Sequence, residues 1–506
     1  MLNSLGQVLP TAARRFGDKV ALVVGGRTFT FRQLDQLSST LAAHLVRLGV
    51  RPGDRVTLYA PNSWEWIVSY YGALKAGAVI NPINVMLTPA EVAYVTRDCG
   101  AKALIGSPEK VKPALDAGVS GLTAVVFGRE AIAGTTALDE LLAQPADFEI
   151  VAVEPDALST IGYTSGTTGH PKGAMQSHRA VLLNAAMTAQ LHLKSPLDTV
   201  VTALPCPHVY GNVVFNGALL YGLKLVLHPR FDPLEVLTSI QEHRATMFEG
   251  VPTMYMVMLA HPELSRFDLS SLTRCTVGGQ TMPVTKMQEV EKHFGCPLIE
   301  LWGMTELAGL GTTFPSNGPD KLGSIGIALP HVEARIADVA DASRTMPRGE
   351  VGELMIRGPI VMQGYYGNEK ATQEAIEPDG WLHTGDLAHM DDAAAIFIVD
   401  RKKDMINTAG FKVFPAEIER VVAQHPGVAM VAVGSQPDEL KGEIAKAYVV
   451  LKPGATQDAD AILALCRDQL AAYKVPRAVQ FVADLPKTST GKIMRRELKT
   501  LDAGAG

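Results

Sequence analysis

Between Arg55 and Phe127 the chain repeats one pattern: RVTLYA (55–60), NPINV (81–85), ALIGS (103–107) and TAVVF (123–127), each a short apolar run set off from the next by helix-like sequence. Runs of four to six apolar residues spaced this way predict parallel strands joined by helices, because a crossover connection needs a helix's worth of chain. Upstream, ALVVGGRTFTF (21–31) predicts two strands around Gly25-Gly26, after which Thr30 and Gln33 have the spacing of a capping box that opens a helix. Leu34, Leu37, Leu41, Leu45 and Leu48 share one face of that helix, and Gly49 ends it. The fold class is α/β with parallel-rich sheets.

The texture changes near residue 400, where IFIVDRKKDMI (396–406) sets a charged run, Asp400 to Asp404, directly after an apolar strand. Beyond it, FPAEIERVVAQHPGV (414–428) predicts a short helix opened by Pro415, and AMVAVG (429–434) and IAKAYVVL (444–451) predict strands flanking a charged turn. We therefore expect a large N-terminal domain over 1–399, a hinge at 400–403 and a small, mobile α+β domain over 404–506.

Composition narrows the function classes. The 506 residues are 47% hydrophobic and 19% charged, enough apolar material for more than one core, and the net charge of −6 lacks the basic footprint that nucleic acid requires. The five cysteines have no metal-ligand spacing and are read as reduced thiols. The amino terminus lacks a secretory pattern, and the most apolar run, Val213 to Leu227, is interrupted by Asn216, Gly217, Gly222 and Lys224, which suits a core element better than a membrane helix. A cytoplasmic protein without integral membrane association is expected; for assembly, a homodimer is the state entertained.

The chemistry concentrates in Tyr163-Thr-Ser-Gly-Thr-Thr-Gly-His-Pro-Lys-Gly173, which follows the strand-like ALSTIG. Its glycines let backbone N–H groups turn toward an anion, its hydroxyls add neutral donors, and Lys172 brings a positive charge, a combination that suits a polyphosphate. It is not a Walker A loop, whose glycine stands five residues before Gly-Lys-Ser/Thr. Glu300-Leu-Trp-Gly-Met-Thr-Glu306 follows the apolar approach CPLI and offers a carboxylate where a strand should end, a group that can hold Mg²⁺ together with phosphate oxygens; read alone, Glu306 is a surface acid. Gly380-Trp-Leu-His-Thr-Gly-Asp-Leu387 sets Asp386 in a glycine-bounded turn, able to accept from ribose hydroxyls or to bond its own backbone. Near the end, Leu485-Pro-Lys-Thr-Ser-Thr-Gly-Lys-Ile-Met-Arg-Arg496 carries Lys492, a point charge suited to the oxygens of a reacting phosphoryl group, while Arg495 and Arg496 read as a solvated helix start.

Taken in order from about residue 20 to about 498, these segments resemble the signatures of the adenylate-forming superfamily of acyl-CoA synthetases, luciferases and peptide-synthetase adenylation domains. The resemblance implies an enzyme that activates a carboxylic acid with ATP and Mg²⁺ as an acyl-adenylate and passes the acyl group to coenzyme A. It assigns Thr164, Ser165, Gly166, Thr167, Thr168, Gly169 and Lys172 to the phosphates, and Gly279, Gln280, Glu300, Leu301, Trp302, Gly303 and Met304 to the nucleotide. Thr305 then lies near the α-phosphate, Glu306 holds the metal, Asp386 and Arg401 meet the ribose, and Lys492 is catalytic. Lys403 matches the pivot about which relatives rotate the small domain between adenylation and thiol attack. The second face of that domain includes Gly410, Phe411 and Lys412. Many relatives carry an amide where this chain has Lys412, so whether Lys412 meets the acyl carbonyl, the CoA phosphates or solvent stays open.

For the acid, Pro205-Cys-Pro-His-Val-Tyr-Gly-Asn212 resembles the segment in which CoA ligases carry a histidine near the acyl tunnel. His208 is read as a substrate gate or as a structural histidine, with Tyr210, Asn212, Gly278 and Gly279 as further pocket residues. The aspartate that receives an amino acid's ammonium is missing there, and no arginine suits a second carboxylate. GFKVFPAEIE resembles fatty-acid ligases more than aryl-acid ligases, which favours a medium- or long-chain acid over a coumarate-, ferulate- or benzoate-like one. An acyl-AMP ligase that loads a carrier protein is the further alternative, set back by the lack of an obvious insertion between Gly326 and Asp400.

Overall fold

The apolar runs between Arg55 and Phe127 form strands of one seven-stranded sheet, ordered Thr136–Ala137, Thr123–Val126, Ala103–Gly106, Arg55–Tyr59, Val79–Pro82, Leu158–Thr164, Lys172–Ser177. Every neighbouring pair is parallel except the last, which is an antiparallel hairpin. Two of its inner strands, Ala103–Gly106 and Val79–Pro82, are buried along their whole length, as expected of parallel strands covered on both faces. The second of them lies at Val79–Pro82 and so begins before the NPINV segment that announced it. The computed structural model describes residues 2–164, 171–319, 321–409, 411–438, 440, 442–487 and 493–502.

By its internal contacts the chain divides into two units, Met1–Ala334 with Ile356–Leu382, and Arg335–Met355 with His383–Gly506. The first holds the seven-stranded sheet and a nine-stranded sheet, ordered Ile327–Ala328, Gly309–Thr313, Leu298–Met304, Arg274–Gly278, Met247–Gly250, Thr199–Thr202, Lys224–Leu227, Val20–Val24, Arg27–Thr30. From Leu298–Met304 through Val20–Val24 the pairs are parallel, and antiparallel strands close both ends. The capping box forms as its spacing predicts: the Gln33 N–H donates to Thr30 Oγ1 and the Thr30 N–H donates back to Gln33 Oε1. On the Phe31–Arg47 helix that follows, Leu34, Leu41 and Leu45 are buried and Leu37 is half-buried. The apolar run 213–227 is the body of a Val209–Tyr221 helix turned by Gly222 into the Lys224–Leu227 strand. Among the described residues no helix is long and apolar enough to cross a membrane.

In the second unit the sequence's hairpin appears as Val428–Asp438 against Gly442–Leu451, extended by Ile406–Thr408 and Phe411–Val413 on one side and by Ala478–Phe481 paired to Gly442–Leu451. The Pro415–Val422 and Ala459–Gln469 helices cover this sheet through Ile418, Val422, Ile462 and Cys466, packed on Val433, Ala447 and Val449. This unit also takes in residues 335–355 and 383–399, which lie before the charged run.

Candidate functional site

In open α/β sheets ligands gather beyond the carboxyl ends of the parallel strands. In the first unit the sequence-predicted residues collect there: Thr164 ends one strand, Gly278 a second, Glu300 to Met304 a third, and His208 follows a fourth, Thr199–Thr202. Thr164 and Lys172 close the hairpin that carries the glycine and hydroxyl loop, while Ser165, Gly166, Thr167, Thr168 and Gly169 lie outside the described residues. The Lys172 ammonium sits 5.2 Å from the centroid of the Tyr365 ring, within cation–π reach.

Glu306 is not the surface acid that its local sequence suggests. It lies in the turn Thr305–Leu307, only 7% exposed, and Tyr365 donates its hydroxyl to Oε1 at 2.8 Å. Neutral donors fix the turn's backbone as well: Gln176 Nε2 donates to the Thr305 carbonyl at 2.8 Å, the Met362 N–H to the Glu306 carbonyl at 2.8 Å, and Asn184 Nδ2 to the Leu307 carbonyl at 3.0 Å. Ala308 pays for the sharp reversal with a left-handed backbone, φ 54°. Gly162, on the strand leading to the phosphate loop, lies against the Thr305 methyl; a Cβ on it would come within 2.7 Å. The hydroxyl loop's hairpin and the carboxylate turn are therefore in direct contact.

Beside them, Val277 pairs with Glu300 and Gly278 with Leu301 on adjacent parallel strands. A Cβ on Gly278 would lie 2.2 Å from Leu301 Cδ1, so the close strand packing requires glycine here. Gln280 and Trp302 are half-buried and Gly279 and Gly303 exposed, forming an accessible edge. Glu300 is buried, and burial pushes its carboxyl up to about 7 although the Gly323 N–H donates to Oε2 at 3.0 Å.

His208 is exposed and caps the Val209–Tyr221 helix, its Nδ1 accepting from the Tyr210 N–H at 3.3 Å. Tyr210 and Asn212 are buried with their polar atoms engaged inside the protein. The Tyr210 hydroxyl meets Thr276 Oγ1 at 2.7 Å, Thr276 donates to Glu249 Oε2 at 3.1 Å, and Glu249 pairs with Lys194 at 2.6 Å. Asn212 Nδ2 donates to the Tyr70 hydroxyl at 3.4 Å, and its Oδ1 accepts from Asn216 at 2.9 Å. The sequence alone did not reveal this polar relay behind Tyr210; the signal was Glu249 inside the otherwise apolar strand Met247–Gly250.

In the second unit Asp386 lies within the Leu382–Met390 strand rather than in the expected turn; the left-handed Gly385, φ 71°, lets the strand continue past the glycine. It pairs in register with Arg401, Nε to Oδ1 3.3 Å. Nearby Glu353 is buried, yet hydrogen bonds from His383 and Lys402 outweigh burial and hold its carboxyl down to about 2. Lys403 is exposed in the Lys402–Asp404 turn. Arg495, expected to be solvated, instead reaches Asp400, Asp404 and Glu419 at 3.2, 3.1 and 2.7 Å. Phe411 is 55% exposed and stacks on Tyr473 with centroids 4.7 Å apart, next to exposed Lys412. Gly410 and Lys492 lie outside the described residues.

The donor chemistry fits Mg²⁺: a held, buried carboxylate beside the hairpin of the hydroxyl loop is what a cation taking one or two carboxylates with phosphate oxygens needs. The model for AMP-binding enzymes matches residues 9–366, and that for the AMP-binding enzyme C-terminal domain matches residues 417–492. A long-chain-fatty-acid–CoA ligase of Bacillus subtilis is 35% identical, covering 98% of this chain and 94% of its own. A feruloyl-CoA synthase of an Amycolatopsis species is 36% identical over 98% of this chain and 99% of its own. Among solved structures, ATP-bound MatB from Rhodopseudomonas palustris superposes with a TM-score of 0.91 at 31% identity, covering 99% of both chains. The chain thus belongs to the AMP-binding enzyme family, in its adenylate-forming acyl-CoA synthetase branch, and is an AMP-forming acid–thiol ligase that uses ATP, Mg²⁺ and coenzyme A.

Proposed function

We propose that the acid is a medium- or long-chain fatty acid, activated at the carboxyl ends of the first unit's strands. The observation that carries this site is the contact between the Thr305–Glu306 turn and the hairpin of the hydroxyl loop. In the first half-reaction the substrate carboxylate attacks the α-phosphorus of ATP, forming the acyl–phosphate bond as the bond to pyrophosphate breaks. Thr164 and Lys172, with Ser165, Gly166, Thr167, Thr168 and Gly169, hold the phosphates; Glu306 holds Mg²⁺, which neutralises phosphate charge. Thr305 contacts the α-phosphate, and the Lys492 ammonium stabilises charge growing on the phosphoryl oxygens, where positioning and electrostatics do most of the work. Gly279, Gln280 and Glu300 to Met304 flank the base, and Asp386 and Arg401 hold the ribose.

In the second half-reaction the thiol of coenzyme A, losing its proton, attacks the acyl carbonyl and AMP leaves. Rotation about Lys403 brings Gly410, Phe411 and Lys412 to the thiol's path, while His208 gates the acyl pocket walled by Tyr210, Asn212, Gly278 and Gly279. A medium- or long-chain substrate agrees with the GFKVFPAEIE segment and with the fatty-acid ligase of Bacillus subtilis. An aryl acid is the second reading, favoured by the feruloyl-CoA synthase at similar identity. We further propose a cytoplasmic enzyme and, as its assembly, a homodimer.

Pyrophosphate release across straight-chain, branched and aromatic acids, with and without coenzyme A and with Lys492→Ala as control, tests these assignments. CoA-stimulated turnover highest on medium or long straight chains and lost in Lys492→Ala is expected. Highest turnover on aromatic acids would replace the fatty acid with the aryl acid; stoichiometric release unaffected by coenzyme A would point to a carrier-protein acceptor.

A further inference from the structure

Tyr365 touches both charged groups of the phosphate side of the site. Its hydroxyl donates to Glu306 Oε1 at 2.8 Å, and its ring lies under the Lys172 ammonium at 5.2 Å. Its own position is fixed by neighbours on either side. The Tyr365 N–H donates to Thr372 Oγ1 at 2.8 Å, Tyr365 bridges to Ala174, and the Tyr366 N–H donates to the Gly173 carbonyl at 2.8 Å. One step earlier, the Met362 N–H donates to the carbonyl of Glu306 itself. The segment from Met362 to Tyr366 thus stitches the strand that carries Lys172 to the turn that carries Glu306, and Tyr365 is the side chain that reaches across.

A hydroxyl donating to a buried carboxylate fixes its rotamer and favours its ionised form while leaving further lone pairs to accept or coordinate. From this geometry we infer that Tyr365 is a positioning residue for the metal-bound nucleotide: it orients Glu306 for Mg²⁺ and keeps Lys172 in register with it. The inference rests on Glu306 being the metal ligand. Sequence alone could not supply it, because GYYGN (364–368) looks like an ordinary glycine-bounded turn.

The test is calorimetric titration of the full-length protein with ATP in EDTA and with ATP in excess Mg²⁺, without acid or coenzyme A, so that no turnover is needed. The ratio of the two dissociation constants is the gain in affinity that the metal brings. Tyr365→Phe should cut that gain about tenfold, the scale of one hydrogen bond to a charged group, while leaving affinity in EDTA unchanged. In a Glu306→Gln background the same substitution should cost nothing further, because its effect passes through Glu306. Tyr365→Leu, which also removes the ring under Lys172, should weaken binding in EDTA as well. An unchanged gain in Tyr365→Phe, or losses that add in the double variant, would overturn the inference while leaving Glu306 as ligand. If Glu306→Gln keeps the whole gain, Glu306 is not the ligand and the inference falls with it.

Discussion

Glu306 and Asp400 are both buried carboxylates, one in the Thr305–Leu307 turn and the other near the end of the Ile396–Arg401 strand, and the groups described around them differ in kind. Glu306 accepts from a neutral donor, the Tyr365 hydroxyl, and the amides of Gln176, Asn184 and the Met362 backbone hold its turn. Asp400 accepts from the Ala416 and Arg401 N–H groups but also shares Arg495 with Asp404 and Glu419. Directional hydrogen bonds from neutral groups hold one geometry, which suits a group proposed to meet phosphates in one place. A cation spread over three carboxylates can redistribute among them, and its energy is more open to screening and protonation. That flexibility stands where the pivot at Lys403 is proposed.

The largest expected effect comes from dismantling the ionic side. Arg495→Met leaves Asp400 buried beside two further acids, and unfolding of the second unit followed in urea should lose about 4 kcal/mol. A loss under about 1 kcal/mol would mean that the three carboxylates are well solvated without Arg495, and the contrast between the segments would disappear.

Next is the buried acid of the first unit whose shift can be followed with pH. Burial raises the Glu300 carboxyl from its ordinary 4.5 to about 7, so between those values the folded state holds a proton that the unfolded state has lost. Its contribution is fully present below pH 4.5 and is lost as pH rises through about 7, a decline on the order of 3 kcal/mol. Thermal unfolding of Glu300→Gln against wild type at pH 5 and pH 7.5 checks the sign: the difference between them should move in the variant's favour at the higher pH. No change in that difference would place Glu300 in a more polar setting than its burial indicates.

The smallest effect is that of salt. Raising sodium chloride tenfold should weaken the second unit by about 1 kcal/mol in wild type and much less in Arg495→Met. Equal salt sensitivity in both proteins would remove the ion cluster as its cause.

What the sequence disclosed follows the same division between local and distant causes. The capping box of Thr30 and Gln33, the parallel strands and the strand that leads into the hydroxyl loop, Leu158–Thr164, are written in neighbouring residues and came through with small shifts in bounds. Clustered glycines, hydroxyls and acids likewise made the candidate segments legible. What stayed hidden depends on partners far along the chain: Tyr365 is 59 residues from Glu306, and Arg495 is 95 from Asp400. No periodicity records such pairings. Asp386 was misplaced in a turn because Gly380 and Gly385 precede it closely in sequence, yet Gly385 adopts a left-handed backbone inside a continuing strand.

As the proposed metal ligand, Glu306 should serve ATP-dependent adenylation and not thioester formation. The decisive measurement is the acyl-CoA produced by Glu306→Gln from two starting points, acid plus ATP and chemically prepared acyl-adenylate, each with coenzyme A. The expected result is a fall of about a hundredfold or more from acid and ATP, since a metal's charge stabilisation is worth several kcal/mol, with near wild-type production from the acyl-adenylate. Equal loss from both starting points, or no loss from either, would contradict it.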